Sequence, residues 1–165
     1  MMETNTPALP YPVLDAGSLR CHSTAILRRL YLPLRDEMVA INDALYRAII
    51  TERQYPQLSA LFYPIADEEL LHYRLLGRAI TLLGGNPTLR VSLHPEAHHL
   101  TADDARPEGL RRLLEAAIME KESAAMQYDR LAALPIENIL PVLFLRLAAD
   151  EASHKQMLCA MLEEL

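Results

Sequence analysis

Two short segments of the chain each carry a glutamate three residues before a histidine. One contains Glu69 and His72, and the other contains Glu151 and His154. Residues three apart on a helix lie on the same face, so each segment can present a carboxylate and an imidazole to one point. Apolar residues flank both segments and indicate that they face a core, where unpaired charges are costly. A single pair of this kind is commonly a solvated surface pair, but two in matching places predict a pocket for metal cations.

A third acidic residue, Glu37, belongs to another helical stretch. At about 100° per residue, it lies within roughly 50° of the centre of an apolar face that includes Leu30, Leu34 and Ile41. Glu37 is therefore expected to point inward or along the seam of that face, where it could join the two Glu-x-x-His pairs. The alternative is an ordinary surface glutamate.

Long helices are needed to position these residues, and the spacing of apolar residues predicts four of them. The helical period runs over residues 18–52, 58–83, 107–134 and 137–164. Pro33 should kink the first helix. The connections are short, long and short, and the long one, residues 86–107, has the composition of a crossover loop. This order predicts a four-helix bundle with one crossover between helices two and three, which then run parallel.

The composition is typical of an all-α chain of one domain. Of 165 residues, 51% are hydrophobic and only five are glycine, which favours helix formers over strand formers. Residues 1–17 contain three prolines and no apolar period, so we expect an extended arm over the bundle or over a neighbouring molecule. Residues 18–165 are expected to form the bundle itself.

The charge pattern argues against two classes of partner. The net charge is −6 with acids and bases interspersed, so no basic stripe could bind nucleic acid or an anionic membrane surface. No stretch approaches the length needed to cross a bilayer, and the N-terminal residues lack a secretion-signal pattern. Cys21 and Cys159 form no C-x-x-C pair, which excludes a cysteine-based iron module and fits two core thiols in a reducing compartment. A cytoplasmic location is expected.

Taken together, these features resemble the ferritin-like superfamily, which includes bacterioferritins, rubrerythrins and manganese-catalase-like proteins. The resemblance covers nearly the whole chain. It implies a ferritin-like four-helix bundle that holds metal ions between carboxylates and histidines in its interior. The segments that carry it are residues 37–41, 69–72, 82–87, 124–128 and 150–154.

The resemblance also implies a role for each ligand. In the superfamily, the glutamates of helices two and four bridge two metals, each histidine caps one metal, and helices one and three each supply a terminal glutamate. Carried over by position, Glu69 and Glu151 would bridge. Glu37 and His72 would complete one metal, and His154 would bind the other. The expected cofactor is iron or manganese, as one or two ions.

Other side chains are expected to surround the ligands. A metal-bound histidine usually donates its second N–H to a carboxylate that fixes its tautomer. We therefore expect Asp150 to support His72 and Glu68 to support His154; the alternative is that both acids lie on the surface. Tyr128 on helix three could serve as a hydrogen-bond donor or a redox-active group near the metal. It could equally be an ordinary core tyrosine.

Helix three departs from the superfamily pattern. The register that places Glu37 on helix one places Lys121, rather than a glutamate, on helix three. Glu120 and Glu122 flank the lysine but lie off the apolar face, and Glu120 would substitute better if the helix rotated. Beside carboxylates, Lys121 should remain an ammonium ion. Three carboxylates and one ammonium sum to −2, which one divalent ion neutralises, so we expect an asymmetric or single-metal site.

The implied function is a metal-dependent oxidoreductase in which iron or manganese reacts with dioxygen or peroxide, as in a peroxidase, catalase or ferroxidase. Whether the chain is an enzyme stays open, because neither a proton donor nor an electron donor can be assigned. Haem is not expected, since Leu70 stands where bacterioferritins carry a haem-ligating methionine. A homodimer is expected. The alternatives are an iron-handling ferroxidase and store, and a degenerate metal-free bundle in which Lys121 pairs with Glu69 or Glu151.

Overall fold

The computed structural model describes residues 10–19, 24–89 and 107–165. Within these ranges the chain forms α-helices and no strand, so the all-α prediction is confirmed. Most of the predicted crossover loop lies outside the described residues. None of the described helices is long and apolar enough to span a membrane. The helices are α1 (Thr24–Thr51), α2 (Pro56–Leu82), α3 (Pro107–Ala132) and α4 (Leu140–Glu163).

Two of the predicted helix starts are wrong, and local hydrogen bonds explain the difference. The apolar period predicts a first helix from Ser18, but this residue lies in a turn. Its amide donates to the Asp15 carboxylate at 2.7 Å, and the Asp15 amide donates to the Ser18 hydroxyl at 2.9 Å, so side chains occupy the groups that a helix would use. The fourth helix begins at Leu140 instead of Glu137. There the Asn138 side-chain oxygen accepts from the Leu140 amide at 2.9 Å.

The first two helices belong to one compact unit, residues 22–110. Helix α1 continues through Pro33, which is buried, and the kink expected there stays a prediction. Apolar residues at helical spacing form the buried faces of both helices, so the periodicity that predicted the helices also selects the core. The buried apolar residues are Leu30, Leu34, Ala44 and Ala48 of α1, and Leu58, Phe62, Ile65, Ala66, Leu76, Ala79 and Ile80 of α2.

Two glycines end α2 and bring the chain back against α1. Gly84 has a φ of +82°, a conformation that glycine adopts without steric cost. A Cβ added to Gly85 would lie 2.7 Å from Leu27 Cδ1 and 2.9 Å from the Tyr31 hydroxyl, so a larger residue would require these side chains to shift. The Tyr31 hydroxyl also donates to the Asn86 carbonyl at 2.9 Å. This contact ties the residues that follow α2 to α1.

The other compact unit contains α4, nearly all of α3 and the N-terminal segment 10–19. Tyr128 of α3 stacks on Phe144 of α4, with ring centroids 6.3 Å apart. The N-terminal segment packs on this unit, because the Ile139 amide donates to the Ser18 carbonyl at 3.2 Å. The assignment of residues 18–165 to a single domain stays a prediction. The buried apolar residues of this unit include Leu14, Leu19, Leu113, Leu114, Ala117, Leu143, Leu147 and Leu158.

Candidate metal centre

Helices α1 and α2 bring three of the predicted ligands together. The Nδ1 atom of His72 lies 3.5 Å from Glu69 Oε2 and 3.7 Å from Glu37 Oε2. All three side chains are buried, with exposed fractions of 0% for Glu69 and His72 and 4% for Glu37. Glu37 is therefore not a surface glutamate. We call these three residues the α1–α2 cluster.

The distances within the α1–α2 cluster fit one shared cation. Oxygen and nitrogen donors on a first-row metal such as zinc lie about 2.0–2.2 Å from it, and therefore about 3–4 Å from one another. The donor atoms of Glu37, Glu69 and His72 lie within 4.8 Å of one another. Two carboxylates and one imidazole are donors that suit iron, manganese or zinc. The cluster can therefore hold a metal without a change of fold.

Burial dominates the electrostatics of the α1–α2 cluster. It raises the pKa of Glu37 to about 8; the neighbouring Glu69 carboxylate adds to the increase, while the hydrogen bond from His72 opposes it. A raised pKa means that ionised Glu37 is costly in these surroundings. A bound divalent cation would remove that cost, because it would favour the carboxylate form.

Helices α3 and α4 form a second cluster of different charge. Lys121 Nζ lies 3.1 Å from Glu151 Oε2, and His154 Nδ1 lies 3.8 Å from the same oxygen. All three side chains are buried, with exposed fractions of 6% for Lys121 and 1% for Glu151 and His154. We call them the α3–α4 cluster. Its carboxylate is paired with an ammonium group that belongs to the protein itself.

Asp150, which precedes Glu151, is held by two residues that the sequence analysis missed. The Tyr11 hydroxyl donates to Asp150 Oδ2 at 2.8 Å. Arg146 forms an ion pair with Asp150 Oδ1, and the Arg146 guanidinium carbon lies 4.1 Å from the centre of the Tyr11 ring. Asp150 is fully buried, so it is not a surface acid. The i,i+4 spacing of Arg146 and Asp150 was a signal in the sequence, whereas nothing local pointed to Tyr11.

Comparison with known proteins identifies the family. The family model described as Rubrerythrin matches residues 41–162, about three quarters of the chain. The chain belongs to the rubrerythrin family. No curated protein and no solved structure matched it. The family and the four helices together confirm the predicted ferritin-like bundle, and the rubrerythrin match covers both Glu-x-x-His pairs but not Glu37.

Membership of the rubrerythrin family suggests a di-iron carboxylate protein, and the buried carboxylate and histidine residues suggest metal binding. Lys121 occupies the buried position on α3, whereas Glu120 and Glu122 are exposed. Glu122 instead forms a surface ion pair with Lys155 at 2.7 Å. Neither flanking glutamate therefore points to the interior in the way a replacement ligand must.

The remaining predicted site residues have distinct surroundings. Tyr128 is buried and stacks on Phe144, as an ordinary core tyrosine does. Glu68 is half-buried, and one of its carboxylate oxygens lies within 4.8 Å of a ring nitrogen of His72 on its own helix. The expected supports of His154 by Glu68 and of His72 by Asp150 stay predictions.

Proposed function

We propose that the protein is an oxidoreductase that uses iron or manganese to react with dioxygen or peroxide. The observation that carries this proposal is the α1–α2 cluster, in which two buried carboxylates and a buried imidazole converge within 4.8 Å. These donors suit both metals, and membership of the rubrerythrin family suggests the same class of site. Either metal, when bound, supplies one-electron redox chemistry.

The protein's own residues would bind and orient the metal. Glu37, Glu69 and His72 would hold it, and Glu151 of α4 would join them, by the family pattern. His154 would mark the second metal position. Because these side chains are buried, bulk water would reach the metal less readily than it reaches a surface site.

Two carboxylates are proposed to accept hydrogen bonds from the histidine ring nitrogens that do not bind the metal. Asp150 would accept the second N–H of His72, and Glu68 would do the same for His154. Such contacts fix the tautomer and the orientation of a metal-bound imidazole. Their role would be to keep a ring nitrogen lone pair directed at the metal.

Lys121 favours one well-occupied metal over two. Its ammonium group lies 3.1 Å from the Glu151 carboxylate, at the helix position where the family pattern has a glutamate. Three carboxylates and one ammonium sum to −2, the charge that one divalent cation neutralises. We therefore propose an asymmetric site, in which a second metal binds only when Lys121 moves away or is replaced.

One alternative function has a specific observation in its favour. The buried ion pair between Lys121 and Glu151 is what a degenerate, metal-free bundle would use to neutralise a leftover ligand. In that case the bundle is a scaffold whose function lies elsewhere. The α1–α2 cluster argues against this alternative, because Glu37 and Glu69 are buried close to one histidine.

The test is metal analysis after anaerobic loading with Fe²⁺ or Mn²⁺, followed by measurement of dioxygen or hydrogen peroxide consumption. The proposal predicts bound metal and turnover that are both lost in Glu69→Gln and kept in Glu163→Gln, a matched change at an exposed position. A protein that stays empty after loading would contradict the proposal and favour the metal-free bundle. Bound metal without turnover of either oxidant would reject the oxidoreductase and leave a metal-binding protein.

A homodimer in the cytoplasm is also part of the proposal. The mass in solution distinguishes this homodimer from the large shell of a storage ferritin. A mass near twice 18.6 kDa would fit the proposal. A shell of many subunits would instead favour the iron-storage alternative.

A further inference from the structure

The N-terminal segment 10–19 is fixed to the α3–α4 unit by apolar and polar contacts. Leu14 and Leu19 are buried, with exposed fractions of 3% and 4%. The Ile139 amide, in the turn just before α4, donates to the Ser18 carbonyl at 3.2 Å. The segment has no regular secondary structure of its own beyond a turn, so these contacts are what hold it in place.

Near its start, the segment contributes to a set of three polar groups. The Tyr11 hydroxyl donates to one oxygen of Asp150, Arg146 pairs with the other oxygen, and the Arg146 guanidinium stacks over the Tyr11 ring. Arg146 and Asp150 are both buried, with exposed fractions of 4% and 0%. Each oxygen of the carboxylate therefore contacts one of these side chains, and Arg146 balances its charge.

Two of these three residues, Arg146 and Asp150, lie on α4 close to the predicted ligand Glu151. Asp150 is the residue directly before Glu151, and Arg146 lies one turn before it on the same helix. Contacts that hold the Asp150 side chain would therefore also restrain the adjacent backbone from which the Glu151 side chain leaves. Carboxylates around a metal site are commonly held by such outer contacts, and loss of these contacts lowers the affinity for the metal.

We propose that segment 10–19 is a strap that forms part of the metal centre: Tyr11, with Arg146, positions Asp150 and thereby the adjacent ligand Glu151. Tyr11 and Arg146 are positioning residues and do not touch the metal. This inference rests on the proposed metal function. It assigns to a proline-containing segment, 139 positions away from Asp150 along the chain, a direct effect on metal affinity.

The test compares Tyr11→Phe with the matched control Tyr31→Phe in the full-length chain. Each variant loses one phenol hydroxyl; that of Tyr31 donates to a backbone carbonyl after α2 instead of a carboxylate. Binding of Mn²⁺ and of Co²⁺ is measured, because the visible absorption of Co²⁺ reports the ligand geometry. Tyr11→Phe is expected to weaken metal binding by roughly 10-fold or more and to change the Co²⁺ spectrum. Tyr31→Phe is expected to bind as the parent does.

Each outcome decides between the strap and its competitors. If Tyr11→Phe binds metal as tightly as the parent, with the same Co²⁺ spectrum, the strap inference is wrong while the proposed metal function stands. If the parent itself binds no metal, the proposed function fails and the inference fails with it. Equal losses in Tyr11→Phe and Tyr31→Phe would indicate general destabilisation and would overturn the positioning role.

A second variant and a second measurement cover the case in which Tyr11→Phe folds poorly. Arg146→Lys keeps a cation but loses the planar group that stacks on Tyr11, so it should weaken metal binding in the same direction. Hydrogen exchange of the Ile139 amide reports whether the strap remains attached. Faster exchange at Ile139 with unchanged metal affinity would identify the segment as a purely structural element and would overturn the proposal.

Discussion

The α1–α2 cluster and the α3–α4 cluster carry the same motif and differ in one residue. In each, a glutamate and a histidine three positions apart lie close together, at 3.5 Å for Glu69 and His72 and at 3.8 Å for Glu151 and His154. The third member of the α1–α2 cluster is the acidic Glu37. The third member of the α3–α4 cluster is the basic residue Lys121, 3.1 Å from the glutamate.

This single difference determines what each cluster requires. Two buried carboxylates beside one imidazole need a proton or a cation from outside, and the pKa of Glu37, raised to about 8, reflects that need. One carboxylate beside an ammonium group is already neutral. The Glu-x-x-His pattern alone therefore does not fix the charge of a cluster, which depends on the third residue.

The largest effect is expected from removing one histidine at a time. His72→Ala should lower metal affinity by more than the roughly 10–100-fold that loss of an outer contact costs, because it removes a donor atom of the acidic cluster. His154→Ala should have a smaller effect on the first metal. Calorimetric titration with the metal measures the affinities of both variants. Equal losses in the two variants would break the comparison, since the clusters would then bind metal alike.

The next effect concerns the stability of the metal-free protein. Lys121→Met removes one partner of a buried ion pair and leaves the Glu151 charge uncompensated, so the free energy of unfolding should fall by about 3–5 kcal/mol. Lys155→Met is the matched control, because Lys155 pairs with Glu122 at the surface and should cost about 0–1 kcal/mol. Urea unfolding measures both. A loss for Lys121→Met as small as that for Lys155→Met would mean that the buried pair does not balance Glu151.

The pH dependence of stability sharpens the contrast at Glu37. Its pKa is raised from 4.5 to about 8, so between these values the folded state holds a proton that the unfolded state releases. This contribution to stability is complete below pH 4.5 and is lost as pH rises through about 8. Glu37→Gln should abolish this part of the decrease, as measured by thermal melting of the metal-free protein. Glu163→Gln, at an exposed position, should leave the pH profile unchanged.

The smallest effects are expected from the glutamates on either side of Lys121. Glu120 and Glu122 are exposed, so Glu120→Gln and Glu122→Gln should leave the metal content unchanged. Each should alter the free energy of unfolding by at most about 1 kcal/mol, the range of an exposed ion pair. A drop in metal content in either variant would show that α3 rotates to supply a carboxylate, and the contrast between the clusters would then be weaker than proposed.

The sequence was informative where chemistry follows helical spacing. The i,i+3 pairs, the inward position of Glu37 and the burial of Lys121 all follow from the 3.6-residue period, and the structure places these side chains in the interior. Helix starts were less accurate, because the turn at Asp15 and Ser18 depends on local side-chain hydrogen bonds that interrupt the apolar period.

The contacts of segment 10–19 could not be predicted from the sequence. Tyr11 lies in a stretch with three prolines nearby and no period, and its partner Asp150 is 139 residues away. Only packing in three dimensions brings such groups together, so no local pattern can signal the contact. The pairing of Arg146 with Asp150 had a readable i,i+4 spacing, but the aromatic ring above Arg146 had none.

The central claim is that Lys121 prevents a second metal ion from binding. The metal content of the parent and of Lys121→Glu tests this claim most directly. Both proteins are loaded anaerobically with Fe²⁺ or Mn²⁺, desalted and analysed, with Lys155→Glu as the control for the same charge change at the surface. We predict about one metal ion per chain in the parent and in Lys155→Glu, and about two in Lys121→Glu. Two metal ions per chain in the parent would contradict the claim.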